Sequence, residues 1–218
     1  MKCDGNESDP YAFLTVLNLR QHREIPVVKD LTRYLLSKAG GMDSMKGLKS
    51  LLDGDSEAQV GLILTERFIN MPHATVPPMY NMLQEEIRWA IDDGEPYSFT
   101  HYLVVSKTYR EVVSQLDMEV EDGQMAPPPK KAKAKKGTGG AAAEEEVFYF
   151  HPEDEVLQKH AVGFGGYDYT KQSDEGASDS KRAFQDVGVK PQGHMMLIEA
   201  KQFEDAVKAV GKYLGTGE

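Results

Sequence analysis

Val60-Gly61-Leu62-Ile63-Leu64 is a stretch of strand length without one polar side chain, continued by Thr65-Glu66-Arg67-Phe68. Successive side chains of a strand point to opposite faces, so an unbroken apolar run is stable only where both faces are covered. In a chain of 218 residues that requires one sheet with helices packed on each side of it. The expected architecture is a mixed α/β (α+β) fold in a single layered domain, a mixed sheet with helices on its faces. Val60–Phe68 is placed centrally in that sheet.

The helices follow from apolar periodicity. Pro26 opens one, Val28, Leu31, Leu35 and Ala39 share a stripe, and Gly40-Gly41 is expected to supply the φ > 0 position that ends it. A second helix is read from Asp43 to Asp53, with Met45, Leu48 and Leu52 inward and Gly54 at its stop. From about Pro77 to Asp93, Met79, Leu83, Ile87 and Ile91 recur every four residues while Gln84, Glu85, Arg88 and Asp92 face out, and Thr75 stands where a cap is needed. The last helix, Lys201 to Leu214, turns Phe203, Val207, Val210 and Leu214 inward and stops at Gly215.

Further strands are expected at Tyr11–Leu19, covered on both faces, and at Tyr97–Lys107, long and wetter on one face. Val147–Phe150 suits an antiparallel return of the latter. Ala161–Tyr169 reads as a weak strand and His194–Ile198 as a short buried one.

Between the halves, Ala126–Ala143 carries three prolines and five lysines and no large apolar side chain, so it cannot offset its ordering entropy by burial. The single domain is therefore taken as 10–218, after a disordered stretch at 1–9, with a disordered basic insertion at about 122–145. Residues 127–143 hold five basic and no acidic side chains, whereas the rest of the chain sums to −15 within a total of −10. Such a body repels nucleic-acid phosphates and attracts basic proteins. The lone Cys3 excludes a disulfide framework and a thiolate zinc site, and no run reaches the roughly 18 apolar residues of a membrane span. A soluble intracellular protein, with no membrane and no direct nucleic-acid partner, is the expectation.

Little in the sequence points to catalysis. There is no GxSxG elbow, and His22, His73, His151, His160 and His194 lack the spacing of a metal site. His101 is read as a packed or surface imidazole. Gly163-Phe164-Gly165-Gly166 lacks the spacing of a phosphate loop and reads as a strand bulge or turn. The runs Asp92-Asp93, Glu144-Glu145-Glu146 and Glu153-Asp154-Glu155 are consecutive rather than convergent, hence solvated surface. No catalytic residue, metal or cofactor is expected. One cluster carries a mechanism: Lys130, Lys131, Lys133, Lys135 and Lys136, held extended by three prolines, form a nuclear-import signal candidate. Without interleaved aromatics it offers bases no stacking platform, so a nuclear transport receptor ranks above nucleic acid.

The stretch Val60 to Pro72, with Glu66, Arg67, Phe68, Asn70 and Pro72, followed by Val76-Pro77-Pro78-Met79-Tyr80, resembles the BCCIP family of nuclear proteins. Phe13–Leu19 and His194–Ile198 agree with it, and the similarity spans nearly all of 10–214. The resemblance implies a fold similar to GNAT-type acetyltransferases without their activity, in a nuclear protein that shuttles toward the cytoplasm and works by binding others. Family members are linked to escorting a basic large-subunit ribosomal protein, to ribosome biogenesis and nuclear export, and in animals to kinase inhibition and recombinational repair. Members of the family usually have an acidic tail, a strand and a helix before the region matching Tyr11, so the chain is expected to be an N-terminally shortened form. Its sheet would then lose a neighbour, with Phe13, Val16 and Leu17 as candidates for an uncovered face. The alternative is an active acetyltransferase using acetyl-coenzyme A. That chemistry wants consecutive backbone N–H groups at the start of the helix near Pro77, where Pro72, Pro77 and Pro78 stand instead.

Overall fold

The computed structural model describes residues 11–53, 56–68, 70–112, 147–170 and 188–215. In chain order these form β1 (Ala12–Asn18), α1 (Pro26–Ala39), α2 (Gly47–Leu51), β2 (Val60–Arg67), α3 (Val76–Asp92), β3 (His101–Glu111), β4 (Val147–Tyr149), α4 (Glu153–Lys159), β5 (Gly163–Tyr167), β6 (Val189–Glu199) and α5 (Ala200–Tyr213). Short 3₁₀ turns at Asp43–Met45 and His73–Thr75 precede α2 and α3. Cys3, the stretch 1–9, the insertion at 122–145 and its five lysines lie outside the described residues.

The six strands make one mixed sheet in the order β1-β2-β3-β6-β5, with β4 paired to β3. Its spine is β3 against β6, antiparallel over eleven residues from His101↔Glu199 to Glu111↔Val189. β2 runs parallel to β3, from Val60↔His101 to Leu64↔Val105, and β1 returns antiparallel on the outer side of β2. Helices cover both faces. On one, α3 and α5 bury Tyr80, Leu83, Phe203 and Val210 against Ile63, Val104, Met196 and Ile198. On the other, α1, α2 and the turn before α2 bury Leu35, Met45 and Leu48 against Leu62, Leu103, Met195 and Leu197. The mixed layered architecture expected of the apolar run is therefore present.

Several local expectations are corrected. β2 is interior but one place from the edge, since β3 and β6 hold the middle. β1 is covered unevenly: Leu14 and Val16 pack on the α3 face and Leu17 on the α1 and α2 face, whereas Phe13, near the start of the strand, is 51% exposed. Val16 and Leu17 are partly buried, so of the three candidates for an uncovered face Phe13 is the exposed one.

β3 starts four residues later than read and has no wet face in its first half. Tyr102, Leu103 and Val104 are all buried, because both layers of helices meet over it. β6 extends the expected short strand to eleven residues. The second helix is broken into a 3₁₀ turn and one α-helical turn and a half, with Met45 and Leu48 inward as expected and Leu52 only partly buried.

On α3 the inward set is Val76, Pro77, Tyr80, Leu83 and Ile87. A repeat of four drifts about 40° per step around a helix of 3.6 residues per turn, so the ends of the Met79-Leu83-Ile87-Ile91 series leave the core and Ile91 is exposed. Thr75 does not cap α3, as its hydroxyl donates back to the Pro72 carbonyl at 2.8 Å. Gly40 keeps right-handed φ (−59°), and α1 runs into a turn through the Gly40 N–H to Leu36 O bond. Gly215, at φ 74°, does end α5 in the left-handed region.

Gly163 and Gly165 lie within regular β5 pairing rather than at a bulge. A Cβ on Gly163 would overlap the Ser44 carbonyl, and one on Gly165 would meet Met42 Sδ at 2.6 Å. Glycine there lets the turn before α2 lie directly on the strand, where Ser44 Oγ donates to Phe164 O at 2.5 Å.

Candidate functional site

β3 has two edges, and β6 occupies one of them throughout. On the other, β2 ends its pairing at Val105 and β4 begins at Thr108. Ser106 and Lys107 therefore sit where the parallel strands β2 and β3 part company. His151 and the first turn of α4 fill this wedge on the α3 side of the sheet, and Arg67 at the end of β2 closes it.

Arg67 and Glu153 form a two-pronged ion pair, Nη1 to Oε1 and Nη2 to Oε2, the second at 2.8 Å, with side chains only 6% and 1% exposed. Such a fork matches both donors of the guanidinium to both oxygens. Burial works against the Arg67 charge, but the hydrogen bond and charge of Glu153 hold its pKa above the ordinary value. Next to it, Ser106 Oγ donates to Asp154 Oδ2, and His151 Nδ1 lies 3.4 Å from Ser106 Oγ and 3.9 Å from Asp154 Oδ2.

Burial pushes the Asp154 carboxyl up to about 8, with the Ser106 hydrogen bond opposing, the Glu153 charge adding and Arg67 opposing. Burial thus favours the neutral acid at Asp154, which fits an Oδ1 buried without a hydrogen-bond partner. Burial, and then the charge of Arg67, lower the His151 pKa. The Tyr80 hydroxyl, also buried and unpartnered, has its pKa raised by desolvation and by Asp154 and Glu153. Above the wedge, Glu66 and Lys107 pair at the surface.

Ser, His and Asp are the residue types of a nucleophilic triad, but their order here is wrong for one. The serine donates to the carboxyl rather than to the imidazole, and all three residues are at most 4% exposed, so no substrate reaches the hydroxyl. His194, its Nε2 unpartnered between Tyr149 and Phe164, is held neutral by burial with a pKa of about 4. His101 is partly exposed, with Nδ1 3.0 Å from Thr100 Oγ1. Among the described residues no cluster of His, Cys, Asp and Glu has the makings of a metal site, and no helix is long and apolar enough to cross a membrane. A cleft of about 610 Å³ opens elsewhere, beside α1, lined by Arg20, Arg23, Lys29 and Arg33. Three of these cations are paired, Arg23 with Glu24 at 3.3 Å, Lys29 with Glu24 at 3.9 Å and Arg33 with Asp30 at 2.7 Å.

The motif residues separate by role. Glu66 and Arg67 line the wedge. Phe68 is 54% exposed and meets Tyr11 edge to face at 5.9 Å, while Asn70 and Pro72 are exposed. Pro77 is buried in the first turn of α3 and Pro78 faces out.

The reading of Glu153-Asp154-Glu155 as solvated surface is overturned for two of its three members, since Glu153 is 1% and Asp154 0% exposed. A signal for Glu153 was available. It precedes Val156 and Leu157 by three and four residues and so shares their buried face.

The family model described as BCCIP matches residues 1–157. The chain belongs to the BCCIP family. It is 55% identical over 214 residues to Protein bcp1 of Aspergillus fumigatus, covering 98% of this chain and 70% of that protein. It is 46% identical over 209 residues to Protein bcp1 of Schizosaccharomyces pombe, covering 95% and 70%. The crystal structure of BCP1 from Saccharomyces cerevisiae superposes with a TM-score of 0.55 at 19% identity, covering all of this chain and 71% of that one, a likeness of fold. In this BCCIP family member the stretch Val60–Pro72 thus supplies one wall of the sealed wedge and the exposed turn beyond it.

Proposed function

We propose that this BCCIP family member is a non-catalytic binding protein that escorts a basic client, a large-subunit ribosomal protein, through the nucleus and toward export. The observation that carries the reading is the −15 surplus on everything outside the basic segment, a counter-surface for a cationic protein kept from RNA. The wedge supports it from the other side. The groups with acid or base chemistry in the wedge are buried out of a substrate's reach, and Pro77 and Pro78 leave the first turn of α3 short of the N–H donors that an acyl-coenzyme A phosphate would use. The lysine cluster at 130–136 is assigned to a nuclear transport receptor.

The test uses this chain with a purified, RNA-free basic ribosomal protein of the large subunit. The chain is expected to keep that protein in solution at physiological salt. The association rate should fall steeply as salt rises past the point where the screening length drops below roughly 8 Å, with dissociation changing less. A salt-independent association rate, or failure to keep the client soluble, would sink the escort reading. Calorimetric binding of acetyl-coenzyme A would revive the enzyme.

A further inference from the structure

α3 carries two stripes. Val76, Tyr80, Leu83 and Ile87 face the core. On the far side Pro78, Met82, Glu85, Trp89 and Asp92 succeed one another at steps of four, three, four and three, the spacing that keeps side chains in line along a helix. Met82 is 60% exposed and Trp89, the single tryptophan of the chain, 61%. Two large apolar groups in register on the solvent side do nothing for the core.

Glu85, Glu86, Asp92 and Asp93 flank them, and among the described residues none of the four has an ion-pair partner. Several acidic side chains elsewhere are neutralised locally: Glu155 by Lys159 at 3.1 Å, Glu204 by Lys208 at 2.8 Å, Asp43 by Lys46 at 2.8 Å and Asp168 by Lys190 at 3.0 Å. Arg88, the one cation within this face, turns its Nε to the Gln84 carbonyl at 3.3 Å.

We propose that this outer stripe of α3 is the docking site for a basic protein segment, which lays an apolar side chain between Met82 and Trp89 and its lysines or arginines on the four carboxylates. The inference rests on the escort reading and gives it an address. Charge complementarity selects the occupant. A second copy of this chain would bring the same four carboxylates to the contact, and nucleic acid or an anionic membrane would be repelled. The indole adds a face on which a guanidinium or ammonium can sit, and tryptophan is the side chain most enriched where binding energy concentrates.

Because Trp89 is the only indole, its emission reports on this helix alone. The whole chain is titrated with a labelled synthetic peptide of alternating lysine, arginine and leucine, and with the same peptide in which glutamate replaces each cation. The basic peptide is expected to bind and to shift or quench the tryptophan emission, and the glutamate peptide to do neither. Replacing Glu85 and Glu86 by Gln and Asp92 and Asp93 by Asn should weaken binding about tenfold, whereas Glu204→Gln with Asp205→Asn on α5 should change it less than about twofold.

All six positions are exposed, so an unchanged melting curve accompanies each variant. Binding with unchanged emission and no loss in the α3 variant would overturn the docking site and leave the escort reading standing. No binding by the basic peptide under any condition would overturn both. Binding of the glutamate peptide, or a dimer that depends on Met82 and Trp89, would assign the stripe to another occupant and overturn the proposal.

Discussion

The two faces of the sheet are sealed by different physical means. On the side of α1 and α2 the buried contact is apolar, with Leu35, Met45 and Leu48 on Leu62, Leu103 and Met195, and it is close enough that β5 needs glycine under the turn at Met42–Met45. On the side of α3 and α5 the apolar packing is interrupted where β2 leaves β3. There the closure is made by a guanidinium–carboxylate fork beside a hydroxyl held by a second carboxyl and an imidazole. Apolar contacts are non-directional and yield gradually when one side chain shrinks. A buried ion pair is close to all-or-none, because removing one partner strands the other charge in a poor solvent.

That difference is broken most directly at Glu153. Glu153→Ala leaves the Arg67 guanidinium buried without its fork and should cost about 3–5 kcal/mol by urea unfolding, whereas Arg67→Met with Glu153→Leu together should recover most of the loss. A loss below about 1 kcal/mol for the single variant would mean that water reaches Arg67 and that the wedge is not sealed.

On the opposite face the matching probe is a gain of one methyl. Gly163→Ala drives a Cβ into the Ser44 carbonyl and should cost about 1–3 kcal/mol. Gly47→Ala in α2, with nothing within 4 Å, should be neutral or stabilise by up to about 1 kcal/mol. Equal effects at the two positions would show that the turn moves freely over β5.

A smaller effect separates the faces by pH. Asp154 has its folded-state pKa raised to about 8, so its contribution is fully present below the unfolded value near 4 and is lost as pH rises through 8. His194, lowered to about 4, and His151, also lowered, act the other way and have mostly done so by about pH 7. Stability should therefore fall by about 1 kcal/mol between pH 7 and 8. Asp154→Asn, neutral at every pH, should flatten that slope, and an unaltered slope would assign the titration to another group.

The smallest effect is expected at the exposed Phe13 of β1. Phe13→Ser should change stability by less than about 0.5 kcal/mol and reduce light scattering at high concentration, while Val16→Ala, packed on the α3 face, should cost more. A Phe13 variant as destabilised as the Val16 one would show that something covers this side.

Most of the elements were legible because local periodicity carries them. The apolar run at Val60–Leu64 demanded two covering layers, the stripe Val28-Leu35-Ala39 on α1 and the set Phe203-Val207-Val210 on α5 are buried as spaced, and Val147–Tyr149 does return on β3. α3 shows the limit of such patterns: its existence was plain, but counting in fours misplaced its ends and hid Tyr80. The family, too, could be read from Val60–Pro72.

By itself, then, the sequence determined that a mixed sheet lies between helices and that the charge is acidic everywhere outside residues 127–143, because each of these depends on composition or on neighbours within a few residues. The wedge depended on tertiary structure. Glu153 reads as a solvent carboxylate until Arg67, 86 residues earlier, is brought against it, and the Asp154 pKa rises only once the surrounding layers exclude water, against the opposing hydrogen bond from Ser106. Gly163 is likewise an unremarkable glycine until the turn at Ser44 closes over it from about 120 residues away in the chain. Contact between distant segments sets the solvent around a charge and the room around a backbone, and neither is encoded within a local window.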